Sequence, residues 1–388
     1  MMKMNLKFVK KVMATGLVLA QLAMGLSVQA EETIKIGGNF ELSGATASYG
    51  TPMSKGVRLA IKQANEAGGV LGKQLEYIEY DNRSDLTETV SVAKRLVGEG
   101  VVGVVGPAPS GNVLAQMPVL EEAQVPSVAP AATLDGITYN DRGELYKYFF
   151  RVAFEDSYQG SLAGQYAVNQ LQAKRAALVS DQAVDSSLGL ADAFKESFTE
   201  AGGEIVYTDS IQSGDTDFTA TISSLLSQDF DVLYLPLYYN EAGLFIKQAR
   251  ELGLTQPIIG GDGLHSPTLI DLASPQYATD IYFTSHFSTT SDVEAVQTFV
   301  KDYQEEYGEE PDTFSATAYD AACLLLDAIE RAGEAEPTSI KAALEATQDF
   351  EGVTGVFSVD EHHNPVKAAL MIKLENGTIA STEYVEAE

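Results

Sequence analysis

Short apolar runs alternate with longer amphipathic stretches along most of this chain, and that alternation restricts its fold more than any other feature. Runs at 34–40, 75–80, 101–106, 125–129, 148–152, 176–180, 205–211, 232–237, 257–260 and 281–285 have strand length. Between them, 51–66, 87–97, 113–122, 158–171, 188–201, 217–226, 241–252, 292–307, 316–332 and 339–346 carry apolar residues at helical spacing. In the first of these, Val57, Leu59, Ala60, Ile61 and Ala64 are followed by Gly68 and Gly69, a stop signal. Strands separated by helices imply βαβ units, hence parallel sheets covered on both faces. At roughly 150 residues per domain, a chain of 388 residues holds more of this pattern than one doubly wound sheet uses, so two are expected. After residue 350 the pattern changes: 353–359 and 369–374, with Asn376-Gly377 as a turn signal, read as a closing β-hairpin. No Pro/Ser/Gly linker parts the halves, so strand crossovers must join them, a hinge geometry.

Composition narrows the function classes. Asp and Glu number 55 against 25 Lys and Arg, a formal net charge of −30. Such a surface repels phosphate, which excludes nucleic acid as a partner and argues against docking on anionic lipid. The single cysteine, Cys323, excludes an internal disulfide and any multi-cysteine metal centre, and no cofactor is expected. Residues 1–11 carry Lys3, Lys7, Lys10 and Lys11 and no acid, 12–26 are apolar, and Val28 and Ala30 are small residues where a signal peptidase reads. Residues 1–30 therefore read as an export signal. An uncleaved anchor is the alternative, but the run falls short of the ~20 apolar residues of a span and Gln21 interrupts it. With no cysteine near the cleavage position, lipid attachment there has no acceptor. A mature chain from Glu31 is expected to be exported, to periplasm or extracellular space, as a monomer without membrane insertion.

In open α/β sheets ligands bind beyond the carboxyl ends of strands, where helix N-termini offer unpaired N–H groups. The run 101–106 is followed by Pro107-Ala108-Pro109-Ser110-Gly111-Asn112, where Ser110 is either a helix cap or an anion donor. The run 125–129 is followed by Pro130-Ala131-Ala132-Thr133, small residues that let a ligand approach the backbone. Residues 42–50 form a small-residue loop carrying Tyr49, Tyr238 and Tyr239 follow 232–237, and Asp262 lies between Gly261 and Gly263. Singly, Ser110 is a cap and Asp262 a turn residue. Together they supply anion donors, one carboxylate and aromatic walls, a set suited to a zwitterion with its carboxylate on Ser110 and Thr133 groups and its ammonium on Asp262.

The motifs IKIGGNFELSGATASYG, ANEAGGVLGKQLEYIEYD, VVGVVGPAPSGNV, VPSVAPAAT, GDTDFTATISSL, YYNEAGLFIKQARELGL and PIIGGDG follow one another over residues 33–380. In order and spacing they resemble the leucine/isoleucine/valine-binding proteins, type I periplasmic solute-binding components of branched-chain amino acid ABC transporters. The resemblance implies an α/β fold of two lobes, each a mostly parallel sheet flanked by helices, joined by a three-crossover hinge. It implies lobe 1 from 31–152 and 286–367, lobe 2 from 153–285 and 368–388, and a free amino acid and a membrane permease as partners. Ser110 matches the family's carboxylate-binding serine, and Ala131 and Thr133 match residues that contact both charged groups. Tyr49 and Tyr238 match aromatic residues lining the site. Asp262 stands where branched-chain receptors usually carry a glutamate, and its side chain is one methylene shorter. The tyrosine the family often places early in the second lobe is absent, with Ser186 or Ser187 in its place. Both departures bear on ligand identity more than on ligand class.

Other signals have plainer readings. His362 and His363 are adjacent, which suits a solvated turn rather than a metal pair. Asp215-Thr216-Asp217 lacks the glycine and distal glutamate of a calcium loop and reads as a helix N-cap. Gly-x-Ser-x-Gly fails at Ser110, where Ala108 takes the first glycine's place. A ligand-sensing module and a secreted hydrolase are the rival classes. The first would need a signalling segment that this chain does not carry, the second a nucleophile beside a base.

Overall fold

The structure is a computed structural model that describes residues 33–385; the export signal expected over 1–30 lies outside them. A first sheet is built from β1 (Ile34–Phe40), β2 (Leu75–Asp81), β3 (Gly103–Val105), β4 (Ser127–Ala129) and β5 (Phe149–Arg151). Between its strands lie α1 (Ala47–Glu66), α2 (Leu86–Glu99) and α3 (Ser110–Ala123). Its strands are all parallel, in the order β2-β1-β3-β4-β5. A second sheet takes β6 (Arg175–Asp181), β7 (Glu204–Ile211), β8 (Val232–Tyr234), β9 (Ile258–Gly260) and β10 (Ile281–Ser285). With it come α4 (Asp156–Asn169), α5 (Asp185–Glu200), α6 (Thr219–Leu226), α7 (Tyr239–Glu251), a 3₁₀ turn at Asp262–Leu264 and α8 (Pro267–Ala273). Its parallel part runs β7-β6-β8-β9-β10, the same order of formation as in the first sheet. The chain then returns to the first sheet as α9 (Glu294–Tyr307), α10 (Thr313–Ala332) and α11 (Pro337–Glu345), with α10 packed on α1, β3 and β4. A small antiparallel sheet of β11 (Phe350–Gly352), β12 (Gly355–Val359) and β13 (Pro365–Val366) follows. Finally β14 (Ala369–Glu375), antiparallel to β10, and β15 (Thr378–Val385), antiparallel to β14, extend the second sheet.

The expected α/β class with two helix-flanked sheets is therefore present. Its central strands β3, β4, β8 and β9, and the edge strand β5, are buried along their whole length, as sheets covered on both faces require. Among the described residues the chain leaves the first sheet after Arg151, leaves the second after Ser285, and rejoins the second at Ala369 after the third sheet ends at Val366.

Local chemistry explains where elements start and how they pack. In α1, Met53, Val57, Ala60, Ile61 and Ala64 form the buried stripe while Arg58 and Lys62 face solvent. A side chain at Gly56 would lie 2.1 Å from the carbonyl oxygen of Ser315, so its absence lets α1 and α10 cross closely. A capping box opens α10: the Ser315 N–H donates to Asp312 Oδ1 (2.8 Å) and the Asp312 N–H to Ser315 Oγ (2.9 Å).

Several local expectations are corrected. Helix α1 starts at Ala47, not 51, because Pro52 lies within the helix rather than at its first position. Tyr49 therefore sits on the first turn of a helix, not at the end of a loop. Residues 353–359 belong to the small third sheet; only 369–374 joins the hairpin turning at Asn376-Gly377. The cap of α6 is Phe218, while Asp217 Oδ1 accepts the Thr219 N–H (3.0 Å). His362 is solvated, but His363 is buried, stacked on Phe150 at 4.2 Å with Nδ1 2.8 Å from the Phe149 carbonyl.

Candidate functional site

In both sheets the order of strands reverses beside the first strand formed, β1 in one and β6 in the other. Such a reversal opens a crevice at the strands' carboxyl ends. The two crevices face each other. The first body contributes Tyr49 beyond β1, Ala108 and Pro109 beyond β3, Ala131 and Thr133 beyond β4, and Phe314 from α10. The second contributes Ser186, Ser187 and Leu190 from α5, Pro236, Leu237 and Tyr238 beyond β8, and Gly261, Asp262 and Gly263 beyond β9. All of these line one cavity. Of the six residues singled out from the sequence, the structure brings five, Tyr49, Ala131, Thr133, Tyr238 and Asp262, onto that surface.

Ser110 stands just behind it. It is the first residue of α3, whose N-cap is Pro109, so the capping reading fails. Its buried hydroxyl accepts the Leu134 N–H (3.2 Å), which ties α3 to the loop carrying Thr133. That bond uses a lone pair and leaves the hydroxyl proton to donate, beside the unpaired first-turn N–H groups of α3.

The loop after β4 is held rigidly from below. Arg151, fully buried, donates through Nη1 to the carbonyls of Ala132 (3.1 Å) and Leu134 (3.0 Å), and through Nη2 to Glu155 (2.7 Å). The Asp156 N–H donates to the Thr133 carbonyl (2.8 Å). The loop after β3 is held by Glu41, a buried carboxyl that accepts from Ala108 N–H (3.1 Å) and Asn82 Nδ2 (2.7 Å). Burial pushes Glu41 up to about 7, against the pull of those donors.

Asp262 opens the 3₁₀ turn and is 7% exposed. Its N–H donates to Gln159 Oε1 (3.0 Å), which also accepts from Thr284 Oγ1 (2.6 Å). Its Oδ2 lies 3.2 Å from His286 Nε2. Burial drives His286 down to about 4, so at neutral pH the imidazole is uncharged and donates a hydrogen bond without cancelling the carboxylate's charge. Burial likewise lowers Lys367, at the third crossing, to about 8, with Asp320 and Asp262 opposing the fall; its ammonium donates to Thr354 Oγ1 (3.0 Å).

A second carboxyl, Asp156, escaped the sequence reading. It is wholly buried, and neither oxygen has a protein donor in hydrogen-bond geometry. Burial first, then the charge of Asp262, raises its pKa well above the ordinary value; the Thr133 hydroxyl and Arg151 pull the other way. In sequence an acid on a helix's first turn reads as a dipole partner, and nothing local sets this one apart. Phe314 was missed because the helix was expected from 316, although Asp312-x-x-Ser315 carries a capping signal.

The aromatic walls interlock. Tyr49 Oη donates to the Gly263 carbonyl (2.9 Å) and accepts the Tyr239 N–H (3.2 Å). Its ring meets Tyr238 edge-on at 5.4 Å and packs on Phe314 at 4.5 Å. Tyr238 Oη lies 3.2 Å from Ser186 Oγ, which shows what the serine in place of a tyrosine contacts. Apolar Leu190, Leu237, Ala108 and Phe314 complete a cavity with donors and a carboxylate beside hydrocarbon, the composition of a small-molecule site.

The family described as periplasmic binding protein matches residues 33–378. The Leu/Ile/Val-binding protein homolog 1 of Brucella melitensis is 30% identical over 381 residues, covering 97% of this chain and 100% of its own. The crystal structure of the branched-chain amino acid transporter substrate binding protein LivJ from Streptococcus pneumoniae, in complex with isoleucine, is 42% identical. It superposes with a TM-score of 0.87, covering 92% of this chain and 100% of its own. That of a leucine binding protein, LivK, from Thermotoga maritima is 34% identical with a TM-score of 0.82, covering 91% and 98%. No helix among the described residues is long and apolar enough to cross a membrane.

Proposed function

Since this chain belongs to the periplasmic binding protein family, we propose that it is the extracytoplasmic substrate-binding protein of an ABC importer. It captures a free amino acid, Leu, Ile or Val first, between two closing lobes and delivers it to a membrane permease. The observation that carries this reading is the placement of Thr133 and Asp262, from different sheets, across one cavity that also has hydrocarbon walls.

The ligand's ammonium pairs with Asp262 and donates to the Thr133 hydroxyl and the Ala131 carbonyl. Its carboxylate accepts from the Ser110 hydroxyl and the Thr133 N–H. Tyr49 and Tyr238 close over the aliphatic side chain. Lobe 1 takes residues 31–152 and 286–367, lobe 2 takes 153–285 and 368–388, and the three crossings between them are the hinge. In the open form the polar groups are hydrated. Closure removes that water, so charge-assisted hydrogen bonds strengthen in the drier site. The ligand drives closure only by binding the closed state better than the open one. Micromolar affinity needs about −8 kcal/mol, within reach of a few charged hydrogen bonds and one buried aliphatic side chain. The chain acts by binding, not catalysis.

A thermal-shift panel of the twenty amino acids and their amides tests the reading. A ligand at a hundred times its Kd adds about 2.7 kcal/mol to stability, so Leu, Ile or Val should raise the melting temperature by several degrees. A panel in which no amino acid raises it would refute the assignment.

A further inference from the structure

Tyr239 does not line the ligand cavity, yet it joins the two lobes at the cavity's edge. It is buried, and its ring meets Tyr49 edge-on at 4.6 Å. Its hydroxyl accepts the Ser48 N–H (3.1 Å) and donates to the Ala45 carbonyl (3.1 Å). Its backbone N–H donates to Tyr49 Oη, which in turn donates to Gly263. Asn240 Nδ2 adds a bond to the same Ala45 carbonyl (2.8 Å). Each of these bonds links residues 45–49 of the first lobe to the second lobe, and none involves a ligand.

We propose that Tyr239 is a positioning residue for ligand capture: its hydroxyl clasps the 45–49 segment and so sets how long the closed lobes hold their guest, without touching it. This rests on the amino-acid-binding reading above. Opening must break the clasp whether or not the cavity is filled, and its donors and acceptors are then returned to water. The clasp therefore adds to the barrier for release. Encounter takes place with the lobes apart, where the clasp does not exist. Removing it should raise koff and leave kon unchanged or slightly higher, the partition in which affinity differences between related complexes usually appear. It should also let the ligand-free protein spend more time open.

The test is Tyr239→Phe in the full mature chain, which keeps the ring and its packing and deletes only the hydroxyl. Stopped-flow tyrosine fluorescence against isoleucine concentration gives kon from the slope and koff from the intercept; the chain has no tryptophan to obscure the signal. The expected result is a koff about tenfold higher, the scale of one or two lost neutral hydrogen bonds, with kon not reduced. Small-angle scattering should show a larger ligand-free radius of gyration than wild type and the same ligand-bound one. Asn240→Ala, which deletes the half-buried member of the clasp, should raise koff a few-fold. A merely structural tyrosine would lower the melting temperature but move neither the kon/koff split nor the ligand-free radius. If wild type binds isoleucine and Tyr239→Phe releases it at the wild-type rate, or loses affinity through kon alone, the inference is overturned. If wild type binds no amino acid at all, it is the functional reading that fails.

Discussion

Replacing Asp262 by Asn removes one charge while keeping shape and an oxygen acceptor for His286 Nε2, so the variant isolates electrostatics. In the proposed complex a buried ammonium faces this carboxylate. Taking away one member of a buried ion pair costs about 3 to 5 kcal/mol, because the remaining charge stays desolvated and alone. The lower end applies, because an amide keeps an oxygen facing the ammonium. A loss of about 3 kcal/mol is a roughly 150-fold weaker Kd. Isothermal titration calorimetry with isoleucine at pH 7 reads this directly, and a ligand-free melt of the variant separates binding from folding. An Asp262→Asn protein of wild-type stability that binds isoleucine within threefold of wild type would show that the ammonium lies elsewhere.

Three further outcomes follow from the same geometry. Ser110→Ala should weaken isoleucine binding about tenfold, the scale of one hydrogen bond to a charged group, and an unchanged calorimetric Kd would confine the hydroxyl to its bond with Leu134. Gly263→Ala would place a methyl 3.3 Å from Tyr49 Oη and from the Leu237 carbonyl, so closure should be impaired and Kd should rise several-fold at near-normal stability; equal affinity would mean that this contact does not form on binding. Glu41 gives a pH signature. Burial lifts its pKa from 4.5 to about 7, so between those values the folded protein holds a proton that the unfolded chain has released. Its contribution to stability is therefore greatest below pH 4.5 and falls as pH rises to 7, by up to about 3 kcal/mol. Glu41→Gln imitates the protonated form, so it should gain on wild type in melts run from pH 4.5 to 7.5, and a pH-independent difference would contradict the buried, proton-holding carboxyl.

What could be read from the sequence tracks what is encoded locally. Strands buried on both faces read as largely apolar runs, so 34–40, 232–237 and 281–285 are legible as strands, although β8 stops at Tyr234 before the loop to Tyr238. Loops beyond strand ends announce themselves through small residues, which is how Ala131, Thr133 and Asp262 could be placed near a ligand. What was lost depends on the partner chosen across space. Ser110 has the residue type and position of a cap, and only the approach of Leu134 shows its hydroxyl engaged elsewhere. His363 reads as solvent-facing until Phe150 and Phe149 are brought against it. Asp156 looks like any acid on a first turn; that it is buried behind Thr133 follows from a crossing between sheets that no local pattern records. Tyr238 and Tyr239 are adjacent and chemically identical, and only the fold decides that one faces the cavity and the other the opposite lobe.

The central claim is that an amino acid is held at both charged ends between the two lobes. A crystal structure of the protein grown with isoleucine tests it most directly. The account predicts the amino group within hydrogen-bond reach of the Asp262 carboxylate and the Thr133 hydroxyl, and the carboxylate against Ser110 and the Thr133 N–H. Isoleucine bound outside this cavity, or bound with its two ends exchanged, would contradict it.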